Sequence, residues 1–316
     1  MRSERFLLLL SLALTVLFCQ GWGFAVHRHI HRSAVDALPP PLHDWFEIET
    51  EWLSAHAVDA DRRKAKVPKE APKHYLDLDA PALSCLDVSK GLPSFDCAAE
   101  ACTEDTLWSY GVLPWNIQWT YNRLTRAFME KDKAQILQAA SDLGHYVSDA
   151  HVPLHTSLNY NGQLTGQDGI HGLWETRLPE LFGDRYWLVA DAPKYVSDVS
   201  EWSWNVVLES HSCVDSVLSL ERELVAEWPG DLMVREERGR VVQKQRVPEW
   251  CGLYDQALEG MVERRWRRSI QGVASLWMSA WVDAGQPNLD ALFMDGTKCG
   301  WWKRLFGPCP KSAGNG

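Results

Sequence analysis

Apolar residues recur every three or four positions along most of the chain, and runs alternating apolar with polar residues are few, the pattern of amphipathic helices. Residues 24–38 read as a first helix, stopped by Pro39-Pro40-Pro41, and residues 42–55 as a second. Prolines 68, 72, 81 and 93 mark residues 65–95 as loop-like. Long helices are predicted over 103–129 and 131–150, then over 169–181, 196–226 and 254–284, with a polar, glycine-rich link at 151–169. The charged stretch 235–245 reads as a solvated loop. Trp202, Trp204, Trp277 and Trp281 fall at helical positions and are expected in the core. With 46% hydrophobic residues and 17 tryptophans, the chain has ample material for one interior. The expected architecture is all-α, a single multi-helix domain over 22–290 followed by a loosely held tail over 291–316 in which Trp301-Trp302 pack.

The start of the chain has a different character. Arg2 and Arg5 precede an apolar run, Phe6 to Phe18, and Cys19-Gln20-Gly21 supplies small residues where a signal peptidase cuts. The run is short for a membrane span, so residues 1–21 read as a signal peptide, leaving Trp22 as the first residue of a secreted or periplasmic protein. The formal net charge of −10 argues against a broad basic surface that tracks nucleic acid, though a local phosphate site remains compatible with it. Cys85, Cys97, Cys102, Cys213, Cys251, Cys299 and Cys309 form no C-x-x-C pair, which favours disulfides over thiolate metal sites. Cys97 with Cys102, Cys299 with Cys309, and Cys213 with Cys251 are candidate pairs, with one thiol left over.

The chemistry concentrates in SDLGHYVSDAHVPLHTSLNYNGQLTGQDGIHGLWETRLPE. His145 and Asp149 lie four apart on a predicted helix and therefore share a face, as do His171 and Glu175, and His155 lies between the pairs. Imidazole and carboxylate donors in this arrangement suit zinc. Upstream, His74 opens HYLDLD after the proline-rich stretch, and Asp77 is placed to orient a ligand from behind. Asp59 in HAVDADRRK reads by itself as a solvated turn. His29 and His31 share the first helix with His27, but spacing by two turns them to different faces, and His43, His56, His151 and His211 have no partner pattern and are assigned surface or capping roles.

Together these residues resemble the superfamily that unites single-strand-specific fungal and plant zinc nucleases with bacterial zinc-dependent phospholipase C. The resemblance runs from WGFAVHRHIHRSAVDALP to about residue 180 and more diffusely through the later helices. It implies an all-helical fold and three zinc ions per chain. The ligands it implies are Trp22, His27, Asp59, His74, His145, Asp149, His155, His171 and Glu175. One zinc would take Asp59, His74, His145 and Asp149; a second, His155, His171 and Glu175; a third, the Trp22 terminus, His27 and the shared Asp149. Zinc-activated water would attack phosphorus, with Asp59 also able to accept a proton.

On substrate the resemblance divides. The spacing from Trp22 to His27 and from Asp59 to His74 is nuclease-like, whereas Glu175 and the short connection before it are closer to the phospholipases. The nucleases' Gly-Gly-Asn signature is absent, and NYNGQ, with Asn159, stands nearby. Tyr75 is as much a candidate for packing in the core as for stacking a base, and Arg62 and Arg63, candidate phosphate contacts near Asp59, read first as a solvated charge cluster. The expectation is a monomeric phosphodiesterase acting on single-stranded DNA or RNA. The alternative is a phospholipase C acting on phospholipid headgroups, for which Ala60 removes one possible headgroup aromatic. A non-catalytic metal-binding module is the third reading. No stable protein partner is implied.

Overall fold

The computed structural model describes residues 23–238 and 241–289. The expected signal peptide, Trp22, the tail, Cys299, Cys309 and Trp301-Trp302 lie outside these residues. The described fold is all-α with one small hairpin.

The helices are α1 (Gly23–Asp36), α2 (Leu42–Ile48), α3 (Thr50–His56), the single turn α4 (Asp59–Arg63), α5 (Phe95–Cys102), α6 (Glu104–Tyr110), α7 (Leu113–Glu130) and α8 (Lys133–Ala150). Then α9 (Ile170–Gly172) passes through a π-helical turn (Leu173–Arg177) into α10 (Leu178–Phe182), followed by α11 (Val199–Ser212) and α12 (Val214–Glu227). After the hairpin come α13 (Pro248–Ala257) and α14 (Met261–Asp283). Three expected long helices are thus broken. Gly111 separates α6 from α7, Cys213 separates α11 from α12, and the turn ending at Gly260 separates α13 from α14. Gly111 has φ 101°, and a Cβ there would lie 2.1 Å from the Tyr75 carbonyl oxygen, so only glycine permits this approach. The break lets Asp77 N donate to Tyr110 O, Val112 N to Pro72 O and Leu113 N to Tyr75 O, which fixes the loop carrying His74.

The stretch expected to be a solvated loop is instead an antiparallel hairpin, β1 (Met233–Arg238) and β2 (Val241–Arg246), with Met233 opposite Arg246. Ion pairs hold it to the body: Arg177 to Glu236, and Arg246 Nη2 to Glu221 Oε1 at 2.5 Å.

Two apolar clusters form the interior. The larger is built mainly from α1, α2, α3, α7, α8 and α14, and includes Trp204, Trp277 and Trp281 as expected, with Trp202 packed partly buried against it. The smaller gathers Val152, Leu154, Trp174 and Trp250 around α10, α12 and α13. The chain crosses between them at residues 150–152, immediately after Asp149 and before His155. Carbonyls at the end of α8 receive buried donors, Ser210 Oγ to Ala150 O and Arg265 Nε to His151 O, so the crossing is pinned.

A disulfide joins Cys85 to Cys102, with Cα atoms 5.5 Å apart. The expected Cys97–Cys102 pair is therefore corrected: Cys97 sits on the exposed side of α5 as a free thiol, while Cys102 is buried toward the loop bearing Cys85. Cys213 and Cys251 are both free, so that expected pair is corrected as well.

Candidate metal centre

Helix α1 meets α8 at Gly144, where a Cβ would lie 2.5 Å from His31 Nε2. His31 is fully buried there, its Nδ1 2.7 Å from His27 O and its Nε2 3.0 Å from Ser141 O. The close approach sets His27, one turn earlier, against His145, with ring centroids 4.2 Å apart and planes 20° from parallel. His27 Nε2 is 3.5 Å from Asp149 Oδ1 and equally 3.5 Å from Glu175 Oε1.

His145 and Asp149 share a face of α8 as their spacing predicts, with Nε2 and Oδ2 3.2 Å apart. His74, at the end of a 3₁₀ turn, brings Nδ1 to 2.7 Å from Asp149 Oδ2 and 3.1 Å from His145 Nε2. His155, on the 3₁₀ turn after α8, and His171 bring their Nε2 atoms to 3.6 Å and 2.8 Å from Glu175 Oε2. Glu175 lies in the π-helical turn, a distortion that frequently marks functional sites.

The remaining carboxylate is a correction. Asp61 Oδ1 lies 3.6 Å from His145 Nε2 and 3.9 Å from His74 Nδ1, and also meets Lys64 Nζ at 2.7 Å. Asp59 turns to Arg62 at 2.9 Å and joins no cluster. Residues two apart on a helical turn point about 200° apart, so only one of them can face the histidines. Three groups with ligand atoms in mutual reach result: His27–His145–Asp149, Asp61–His74–His145 and His155–His171–Glu175. Seven of the nine expected ligands come together, Asp61 replaces Asp59, and Trp22 lies outside the described residues.

These groups could hold metal ions. Their atoms are nitrogens and carboxylate oxygens, and the far ring nitrogen is committed at three histidines: Nδ1 of His145, His155 and His171 lies 2.8, 2.6 and 3.2 Å from the carbonyls of Ala57, His74 and Tyr160. Such bonds fix the tautomer so that Nε2 is the free donor to a metal. Electrostatics agree. Burial would raise the Asp149 carboxyl, yet His145 and His155 outweigh it and hold it well below the usual range. Burial would lower His145, but Asp149 and Asp61 raise it well above its ordinary value. The carboxylates thus stabilise positive charge at the position a cation would take.

The lesser candidates fall elsewhere. Asn159 is buried and both ends of its amide are used inside the loop, Nδ2 to Thr165 and Oδ1 from Leu164 N. Arg63 reaches Glu70 and Asp142, and Arg62 pairs with Asp59. Tyr75 is half-buried. The unexpected neighbour is Tyr160, 52% exposed with its ring centroid 6.3 Å from that of His171. Asp77 is buried, and burial followed by Asp79 pushes its carboxyl up to about 7. His151 is buried rather than surface-placed, with Nδ1 donating to Val147 O, and His31 is likewise buried.

No family model matches the chain, and no curated protein matches it.

Proposed function

We propose that the protein is a zinc-dependent phosphoric ester hydrolase with three ions per chain, acting on phosphodiester bonds of single-stranded DNA or RNA. The observation that carries this reading is the convergence of three nitrogen–carboxylate groups into one continuous centre, with His145 common to two of them. When bound, zinc would supply an activated water and neutralise charge on the phosphoryl oxygens.

The chain's own residues divide the remaining work. His171 is the most accessible of these side chains, 26% exposed against 19% for Asp61 and 14% for Glu175, so substrate reaches the centre from the His171 side. Tyr160 stands there as an exposed aromatic on which a base can stack. Asp61, partly exposed, takes over the proton-accepting role first assigned to Asp59.

Donor counting bears on the third ion. His145 has Nδ1 committed to Ala57 O, so its single free nitrogen serves one ion. Assigned to the Asp61–His74 group, it leaves His27 and Asp149 short of a full shell. The amino and carbonyl groups of Trp22, freed by cleavage after Gly21, would complete it. The Cys85–Cys102 disulfide supports export to an oxidising compartment.

Phospholipase C activity is the second reading, favoured by Glu175 and by Trp187 and Val189, apolar side chains 67% and 63% exposed. Processed protein should be assayed on single-stranded DNA, RNA and phosphatidylcholine, with and without a zinc chelator. Chelator-sensitive cleavage of the nucleic acids is expected. Cleavage of phosphatidylcholine alone would replace the lead reading by the second, and zinc-loaded protein inert on all three would sink both.

A further inference from the structure

A cleft of about 560 Å³ lies behind α4, outside the metal centre. Asp59, Arg62 and Arg63 leave the turn toward this cleft, while Asp61 leaves it on the other side toward His74 and His145. Between cleft and metal centre stands Tyr146, whose ring packs against His74 with centroids 5.1 Å apart.

Five basic side chains line the cleft against three acidic ones, which leaves it positive in a chain of net charge −10. The two buried acids are already engaged by the wall itself. Glu70 accepts Arg63 at 3.1 Å, Lys73 at 2.9 Å and Tyr146 Oη at 2.5 Å. Asp142 accepts Arg63 at 2.9 Å, Arg123 at 2.5 Å and Gln138 at 3.1 Å. Lys66 at the rim has no ion-pair partner among the described residues. Asn116 on the lining is 4% exposed, and its Nδ2 has no hydrogen-bond partner.

A buried amide donor without an acceptor is costly; Asn116 lines the positive cleft with this donor sealed beneath the wall, and a turn of its side chain would offer it to an anionic oxygen. The one aromatic ring of the lining is packed on His74, so the walls recognise charge rather than a planar base. The geometry points to a second ligand site, one for a phosphate dianion, free or as a small phosphomonoester, bound by Asn116 Nδ2, Lys66 and the arginines of α4 and α7. It does not depend on the hydrolase reading.

The test is a titration of the full metal-loaded protein with inorganic phosphate, following the Asn116 side-chain amide by NMR, with chloride at matched ionic strength as control. A saturable shift specific to phosphate is expected, weakened at least tenfold by Lys66→Glu, an exposed position that leaves the fold and metal content unchanged. Asn116→Asp, which replaces the donor by a negative group, should weaken phosphate binding further, read by equilibrium dialysis as the loss of one bound phosphate per chain. A shift equal in chloride, a shift indifferent to Lys66→Glu, or a response only to an oligonucleotide lacking terminal phosphate would each overturn the proposal.

Discussion

Asp61 faces His145 across 3.6 Å, while Asp59, on the same helical turn, is held by Arg62 on the other side. This relationship assigns the carboxylate of the centre and separates two substitutions that look alike in sequence. Asp61→Asn should lower metal affinity at least about tenfold, the range that even changes behind the ligands reach. Asp59→Asn breaks only a partly exposed ion pair and should shift stability by less than about 1 kcal/mol. Metal content of the two variants by elemental analysis decides the assignment, and equal loss in both would refute it.

Gly144→Ala sets helix propensity against packing. The substitution favours the helix by about 1 kcal/mol, but its Cβ would lie 2.5 Å from Nε2 of His31, a ring held at both nitrogens by the His27 and Ser141 carbonyls. Overpacking of this kind costs about 1–3 kcal/mol and the contact has nowhere to relax. Net destabilisation is expected in denaturant unfolding, with reduced metal content because His27 moves away from Asp149. A stabilised variant of full metal content would show that the helices do not meet there.

His31 gives the fold an acid limit. Burial lowers its folded pKa from 6.5 to about 4, so between these values the unfolded chain binds the proton that the native state refuses. The His31 contribution is therefore fully retained above pH 6.5 and lost as pH falls toward 4, by an amount on the order of 3 kcal/mol. Unfolding free energies measured from pH 7 to 4.5 should fall less steeply in His31→Gln than in the parent, after correction for the variant's own offset at pH 7.

The disulfide makes a similar discrimination. Cys85 and Cys102 are 17 positions apart, and closing a loop of that size stabilises by about 3 kcal/mol in the chain-entropy model. Cys85→Ser should lower the Tm, whereas Cys97→Ser should leave it nearly unchanged. The reverse result would restore the pairing expected from sequence.

The N-terminus offers a further check on the proposed centre. One residue added before Trp22 should reduce bound zinc from three ions to two and remove most hydrolysis. Undiminished zinc content would exclude Trp22 as a ligand.

What could be read beforehand followed from helical periodicity. His145 with Asp149 and His171 with Glu175 are neighbours by spacing alone, whatever the tertiary context. Asp59 against Asp61 is a different problem, because HAVDADRRK makes one helical turn and which face points inward is set by packing against α8. The hairpin escaped because MVREER and VVQKQR carry too few apolar residues to alternate, and its docking comes from ion pairs to Arg177 and Glu221. The break at Gly111 did have a signal, a glycine inside an apolar pattern. Its reason, the Tyr75 carbonyl beneath it, is visible only in three dimensions. Tyr160 carried no motif, since nothing local shows that its loop returns over His171.

The turn α4 carries a consequence of its own. One short element supplies a carboxylate facing the candidate metal centre on one side and cleft-lining arginines on the other, so an ion in the one proposed site and a phosphate in the other would each hold the turn for its counterpart. Ion and phosphate then become two arguments of a single binding function. By reciprocity, whatever factor phosphate changes in zinc affinity, zinc must return in phosphate affinity.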